Sequence, residues 1–307
     1  MKLYAYAKIN LSLYVIGLKD GMHLLDSIML TCKDIKDTII IKKSSIDSLK
    51  FSGCQTDKID VNNNTVKQAL DLFRKNTGIY TPLDIKVIKK IPIMAGLGGS
   101  SADAACLLRG LTKMFELNIQ NSSIQNAAKN TGSDVAYMLD RRAARVSGVG
   151  ECVEYIDNNT KLYMLIAMDE CISTKECFAV FDNLKLNFSD KVQNDMLEKA
   201  LKDNNYSKVL KFIHNDLYTP AKIINPKIDG LRVRALQLRD LRERHFKDLG
   251  GRDGVDVLTV GKGFLHGCVP ADVREQAQLN LAVVRVHKDA ALLCHEHAPQ
   301  LPPQLLP

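Results

Sequence analysis

Residues 3–16 alternate between apolar and polar positions, and this period of two predicts a β-strand. The polar side of the strand presents Lys8 and Asn10 together. From the pattern alone, that side is either a solvated sheet face or the wall of a site. The apolar side, which we expect to pack on a core, consists of Ala5, Ala7, Ile9, Leu11, Leu13 and Val15.

Hydrophobic periodicity also predicts the strands and helices that follow, up to about residue 228. Strand patterns lie at residues 27–32, 37–43, 83–89 and 162–168, with a hairpin or bulge at 143–153. Helical spacing lies at residues 65–76, 124–130, 175–182, 191–202 and 206–213. The polar stretch 44–64 is expected to be a loop with one short strand. This mixture of strands and helices indicates an α/β (α+β) protein.

A glycine-rich turn joins a predicted strand to a predicted helix within residues 91–105, IPIMAGLGGSSADAA. Its glycines allow positive φ and let a ligand approach the backbone closely. We expect Ser100 or Ser101 to cap the helix, which continues to about residue 115. The helix start would then bind an anion, unless the segment is simply a tight turn. The spacing is neither GxxxxGK[ST] nor GxGxxG, which disfavours P-loop and dinucleotide-binding proteins.

Asp134 begins another short helical pattern, within the sequence TGSDV at residues 131–135. An aspartate at this position is either a helix cap or a catalytic carboxylate. The local pattern leaves both interpretations open.

The amino-acid composition excludes several classes of protein. The chain has 307 residues, of which 46% are hydrophobic and 25% charged, and this excludes a disordered chain, a collagen-like fibre and a membrane bundle. No run reaches the ~18 apolar residues of a membrane-spanning helix, and the N-terminus does not have a signal-peptide core. Eight scattered cysteines without a CxxC pair indicate the reducing cytoplasm. A net charge of +7, without a block of basic residues, suits a phosphate-bearing small molecule and does not require nucleic acid.

The composition changes abruptly near residue 229. Residues 1–228 contain 26 Lys, 5 Arg and 23 Ile, whereas residues 229–307 contain 3 Lys, 8 Arg and no Ile. We interpret the tail as a junction or fusion to unrelated sequence, non-native or disordered, with a divergent native domain as the alternative. It carries an Arg-rich helical pattern at 231–248 and a weak zinc-like set: His266, Cys268, Cys294 and His297.

Several sequence blocks, in order, resemble the GHMP small-molecule kinases. They are AYAKINLSLYVIG, GMH, PIMAGLGGSSADAA, GSDV, ARVSGVGE, ISTKE and ND, all within residues 1–228. The resemblance implies a two-domain fold, with an ATP-binding domain of ribosomal-S5-like topology over residues 1–160. Residues 161–228 would be part of a C-terminal domain. Residues 229–307 match nothing in the family, and its C-terminal glycine-rich motif is not found there.

The resemblance also implies the site. Lys8 and Asp134 match the family's catalytic pair, with Asn10 beside them. His23 matches a residue that hydrogen-bonds a cytosine ring, and Phe178 matches an aromatic residue that stacks on it. The ATP-binding segment would comprise Pro92, Ala95, Gly96, Leu97, Gly98, Gly99, Ser100, Ser101 and Ala102.

The activity that the resemblance implies uses ATP and Mg²⁺. It is phosphorylation of the 2-hydroxyl of a cytidine-diphosphate-linked polyol, CDP-methylerythritol, in isoprenoid precursor synthesis. We expect a cytoplasmic monomer or homodimer with a small-molecule substrate and no nucleic-acid or membrane partner. Two alternatives stay open: another kinase of the family, acting for example on homoserine or mevalonate, and a truncated, catalytically dead relative.

Overall fold

The computed structural model describes residues 1–93, 95–160, 162–166, 173–189, 192–228, 257–259 and 282–286. Within these residues the chain forms two sheets and eight α-helices. The helical pattern at 231–248 and the zinc-like set of the tail lie outside the described residues.

The larger sheet is organised around one long strand. Its strands are β1 (Lys2–Asn10), β2 (Ser12–Lys19), β3 (Met22–Lys43), β4 (Ser48–Gly53), β5 (Leu83–Lys89), β6 (Ala144–Gly148), β7 (Cys152–Tyr155) and β9 (His214–Asn215). Strands β1, β2, β5 and β6 all pair antiparallel with β3. Strand β7 pairs with β6, while β4 runs parallel to β5 and β9 runs parallel to β2.

The helices lie close to the predicted positions, except for α8, which was not predicted. They are α1 (Thr65–Thr77), α2 (Gly99–Met114), α3 (Ser122–Thr131), α4 (Ser133–Asp140), α5 (Thr174–Asn183), α6 (Val192–Lys202), α7 (Tyr206–Phe212) and α8 (Tyr218–Ile224). Helix α2 contacts β1, β3 and the other three helices of the first 160 residues. Most of its side chains are buried, because it lies between the sheet and these helices.

The predicted strand at 3–16 is two strands, β1 and β2, which are separated at Leu11. Its apolar side is buried as expected, from Ala5 to Val15. The opposite side is not a solvated face, because Lys8, Ser12 and Tyr14 are buried as well. Later parts of the chain cover this part of the sheet: the Ser12 hydroxyl donates to Asn194 on α6, and β9 pairs with β2. The interpretation as a solvated face is therefore wrong.

The predicted strands at 27–32 and 37–43 are one strand, β3. The polar residues between them remain in the strand because its pairing with β1 shifts register between Tyr6 and Ala7. An irregularity of this kind admits extra residues without ending the strand.

A smaller sheet is centred on β8 (Leu162–Ile166). Strand β10 (Val257–Thr259) pairs parallel to β8, and β11 (Ala282–Val286) pairs antiparallel to it. Two short segments beyond residue 228 therefore join the backbone of β8. The division of the chain at 160 and 228 stays a prediction. None of the helices in the described part of the chain is long and apolar enough to cross a membrane.

Candidate active site

A cavity of about 620 Å³ lies where the glycine-rich turn, β1 and α5 meet. Its wall includes Lys8 and Asn10 from β1, Asp134 from α4, and Phe178 from α5. The turn contributes Pro92, Ala95, Gly96, Leu97, Gly98, Gly99, Ser100 and Ser101. Two of the predicted site residues do not line the cavity. Ala102 is buried within α2, and the ring of His23 stacks on that of Phe178. The structure thus brings together residues that are up to 170 positions apart.

The glycine-rich turn is tied to β1, because the backbone N–H of Lys8 donates to the Leu97 carbonyl at 2.9 Å. Gly98 has a φ of +66°, and a Cβ there would collide with Met138 and lie 2.9 Å from Cγ of Lys8. Only glycine fits this position without strain. Close packing therefore fixes the start of α2 directly beside the Lys8 side chain.

The start of α2 is not capped as predicted. Gly98 is the N-cap residue, and no side chain caps the helix. Ser100 and Ser101 lie inside the first turn, so the prediction that one of them is the cap is wrong. The first N–H groups of a helix have no partner within the helix, and together with the helix dipole they suit a phosphate.

Asp134 lies in the first turn of α4, whose N-cap is Gly132. It makes no cap hydrogen bond; instead its Oδ2 lies 3.3 Å from Nζ of Lys8. The interpretation of Asp134 as a helix cap is therefore wrong. Its side chain is 28% exposed, so a ligand in the cavity can reach the carboxylate.

Asn10 holds the Lys8 ammonium on its other side. Nζ of Lys8 donates to Oδ1 of Asn10 at 2.5 Å. Lys8 and Asn10 are two positions apart in β1 and so share a face of the strand. The ammonium thus lies between the carbonyl oxygen of Asn10 and the carboxylate of Asp134.

A second lysine reaches the cavity beneath the glycine-rich turn. Lys89, at the end of β5, contacts Asp37 and lies 2.6 Å from Oδ2 of Asp103 on α2. All three side chains are almost fully buried. Burial raises the pKa of Asp103 well above its usual range, Lys89 opposes that shift, and Asp37 adds to it. Burial lowers the pKa of Lys89, but the two carboxylates outweigh it and leave that pKa raised.

The rings of His23 and Phe178 stack on each other, with centroids 4.5 Å apart and planes 23° apart. Nε2 of His23 is 2.7 Å from Oδ1 of Asp182, and Phe181 meets the imidazole edge-on. The structure therefore brings the two predicted base-binding residues together, with His23 against Phe178 and paired to a carboxylate.

Several cavity residues were not predicted. Lys89, Asp103 and Asn215 line it, as do Asp60, Asn63, Asn64 and Thr65 before and at the start of α1. The hydroxyl of Thr65 donates to the Ser100 carbonyl at 3.1 Å and so joins the starts of α1 and α2. The Asn-rich composition of residues 60–64 was the available signal, but polar loops are common and rarely indicate a site.

A helix start beside a lysine–aspartate pair, in one cavity, suits a kinase that acts on a small molecule. The family model for the GHMP kinases N terminal domain matches residues 64–140. That segment contains α1, the glycine-rich turn and Asp134.

The 4-diphosphocytidyl-2-C-methyl-D-erythritol kinase of Caldicellulosiruptor saccharolyticus is 36% identical over 235 residues, which cover 76% of this chain and 80% of that protein. The chain belongs to this kinase family, and the resemblance found in the sequence is confirmed.

Solved structures share the fold. A crystal structure of 4-(cytidine 5'-diphospho)-2C-methyl-D-erythritol kinase has a TM-score of 0.66 and 22% identity, covering 93% of this chain and 98% of that one. Homoserine kinase from Cytophaga hutchinsonii has a TM-score of 0.59 and 17% identity, covering 77% and 78%. Because kinases for different substrates share this architecture, the fold alone does not identify the substrate.

Proposed function

We propose that this chain transfers the γ-phosphoryl group of ATP to the 2-hydroxyl of 4-diphosphocytidyl-2-C-methyl-D-erythritol. The observation that carries the proposal is the Lys8–Asp134 pair, at 3.3 Å, in one cavity with the start of α2. The kinase relatives at more than 30% identity support the choice of substrate.

In this mechanism the carboxylate of Asp134 orients the substrate hydroxyl and accepts its proton. The hydroxyl oxygen bonds to the γ-phosphorus while the bond from that phosphorus to the bridging oxygen of ADP breaks. The Lys8 ammonium stabilises the negative charge that moves between these oxygens. The products are ADP, the phosphate ester and a proton on Asp134.

The nucleotide would place its phosphates at the start of α2. The first-turn N–H groups suit an anion, and residues 98–101 line the cavity. The described residues hold no cluster of three or more metal-binding side chains. Mg²⁺ fits this site as an ion held mainly by the phosphates, and Asp134 and Ser101, which both line the cavity, would supply protein oxygens. When bound, it would neutralise phosphate charge.

The cytosine end of the substrate would lie at the His23–Phe178 ring pair. Phe178 lines the cavity, so a base stacked on its ring would be within the same site. His23 does not line the cavity; its ring stacks on Phe178 and its Nε2 pairs with Asp182, so we assign it the role of holding the Phe178 ring in place. We propose the cytoplasm as the location and a small molecule as the only required partner.

A substrate panel tests the function. The full chain is incubated with ATP and Mg²⁺ and either 4-diphosphocytidyl-2-C-methyl-D-erythritol, homoserine or mevalonate, and ADP and phosphate ester are measured. We expect turnover with the cytidine compound alone. Turnover with homoserine or mevalonate instead would favour the other kinases of this fold, and ATP binding without any turnover would indicate a dead relative.

A further inference from the structure

A buried chain of hydrogen bonds lies behind the Lys8–Asp134 pair. Nδ2 of Asn10 donates to Oγ of Ser27 at 2.7 Å, and the Ser27 hydroxyl donates to the Ser12 carbonyl at 2.5 Å. Ser27 lies in β3 and is 1% exposed, so it cannot touch a ligand in the cavity. It is also not among the residues that match the kinase motifs.

The direction of each hydrogen bond in this series follows from which groups can donate and which can only accept. A backbone carbonyl can only accept, so the Ser27 hydroxyl donates its one hydrogen to the Ser12 carbonyl. The Ser27 oxygen can then only accept from Asn10, which must present its NH₂ group there. The carbonyl oxygen of the Asn10 amide is therefore turned towards the Lys8 ammonium, to which it bonds at 2.5 Å.

The break between β1 and β2 builds this arrangement. Leu11 N–H donates to the Ile28 carbonyl at 2.8 Å, but the N–H of Ile28 donates to the Ser12 hydroxyl at 3.0 Å rather than to a backbone carbonyl. The Ser12 hydroxyl in turn donates to Oδ1 of Asn194 on α6, at 2.5 Å. Both ends of the Ser12–Ser27 link are thus anchored, one in the sheet and one on α6.

If the Asn10 amide were reversed, its NH₂ group would face the Lys8 ammonium, and two donors would meet. We propose that Ser27 is a positioning residue, which acts through Asn10 to hold the Lys8 ammonium against Asp134. The effect on turnover rests on the function proposed above, whereas the effect on Lys8 itself does not.

The first test replaces Ser27 with alanine. Ser27→Ala should lower kcat about tenfold, the factor supplied by one hydrogen bond of ordinary net strength, and leave the KM for ATP within twofold. Ser27→Thr, which keeps the hydroxyl, should restore kcat to within about threefold of the wild type. An unchanged kcat in Ser27→Ala would overturn the proposal.

A matched control separates positioning from stability. Thr112 is a buried residue near the far end of α2, and its hydroxyl also donates to a backbone carbonyl, that of Leu108 at 2.6 Å. Thr112→Val should lower the urea midpoint of unfolding but leave kcat unchanged. If Ser27→Ala and Thr112→Val both lower kcat in proportion to the stability they lose, Ser27 has only a structural role, and the proposal is overturned.

A double-mutant cycle tests the route through Asn10. In an Asn10→Ala background, adding Ser27→Ala should change kcat by less than twofold, because the amide that Ser27 orients is already gone. A further tenfold loss in that background would show that Ser27 acts by another route and would overturn the proposal.

A measurement without turnover distinguishes this inference from the proposed function. In protein labelled with ¹³Cε-lysine, the signal lost in Lys8→Arg identifies Lys8. That signal should shift or broaden in Ser27→Ala and stay unchanged in Thr112→Val. A chain inactive on every substrate would refute the proposed function and leave this test intact, whereas an unmoved Lys8 signal in Ser27→Ala would refute the positioning role.

Discussion

Two lysines border the cavity, and their surroundings differ. Lys8 faces one carboxylate, Asp134, whose side chain is partly exposed to the cavity. Lys89 contacts two carboxylates, Asp37 and Asp103, and no side chain of that triad is more than 3% exposed. Asp37 also accepts from the backbone N–H groups of Lys90 and Ile91, which lead into the glycine-rich turn.

Exposure and partners determine what each lysine can do. A carboxylate that a ligand can reach is able to take a proton from it, as proposed for Asp134. The members of an almost fully buried triad cannot exchange partners without leaving a buried charge unpaired. We therefore assign chemistry to the Lys8 pair, as proposed above, and to the Lys89 triad the task of holding β3, β5 and α2 together beneath the glycine-rich turn.

The largest change is expected at the Lys8 pair. Asp134→Asn keeps the size of the side chain but removes the proton acceptor, so kcat should fall by about 10²- to 10⁴-fold. The free energy of unfolding should stay within about 1 kcal/mol of the wild type, since a partly exposed ion pair contributes little. Steady-state kinetics and urea unfolding measure the two quantities, and a fully active variant would rule out Asp134 as the base.

A comparison of two glycine substitutions, at Gly98 and Gly78, tests the role of the glycine-rich turn. Gly98→Ala introduces a Cβ at a φ of +66° against Met138 and Lys8, and should cost about 2–4 kcal/mol of stability and raise the KM for ATP. Gly78→Ala, with a φ of +71° and open space around its Cβ, is the matched control. It should cost about 1 kcal/mol and leave the KM unchanged. Equal effects of the two changes on KM would contradict this role for the turn.

The smallest expected effect is a pH dependence at the triad. The pKa of Asp103 is raised in the folded chain, so above the ordinary aspartate pKa of about 3.9 the native state keeps a proton that the unfolded state has lost. Stability should fall as pH rises through this window, by at most about 1.4 kcal/mol per pH unit, and level off above the raised pKa.

Asp103→Asn resembles the protonated acid and should remove this contribution. Urea unfolding of both proteins between pH 4 and 8 measures it as the difference between their slopes. Parallel curves would show that Asp103 titrates as an ordinary carboxyl.

Local patterns predicted most of the helices and strands. Residues 83–89 are β5, and the predicted helix at 65–76 is α1 with one further residue. Periodicity succeeds in these elements because one face of each is apolar and buried. It failed for β3, because the pairing of β1 with β3 absorbs a polar interruption that a single strand's pattern cannot reveal.

The sequence predicted a residue of the candidate site only where that residue lies in a recognised motif. The glycine-rich turn, Lys8 and Asp134 lie in motif blocks, and all of them border the cavity. Lys89 ends an alternating strand pattern, and nothing near it indicates that Asp37, 52 residues away, will pair with it. Asp182 is 159 residues from His23, so their contact depends on how α5 packs against β3. Long-range electrostatic partners of this kind require the tertiary structure.

The central claim is that the two lysines have separate tasks, and replacing each with methionine tests it most directly. The measurement is kcat together with the free energy of unfolding in Lys8→Met and Lys89→Met. Lys8→Met should lose at least 10²-fold in kcat while its stability stays within about 1 kcal/mol of the wild type. Lys89→Met should lose about 3–5 kcal/mol of stability, because the buried pair of Asp37 and Asp103 is left without its cation. A Lys8→Met protein with wild-type kcat, or a Lys89→Met protein with wild-type stability, would contradict the account.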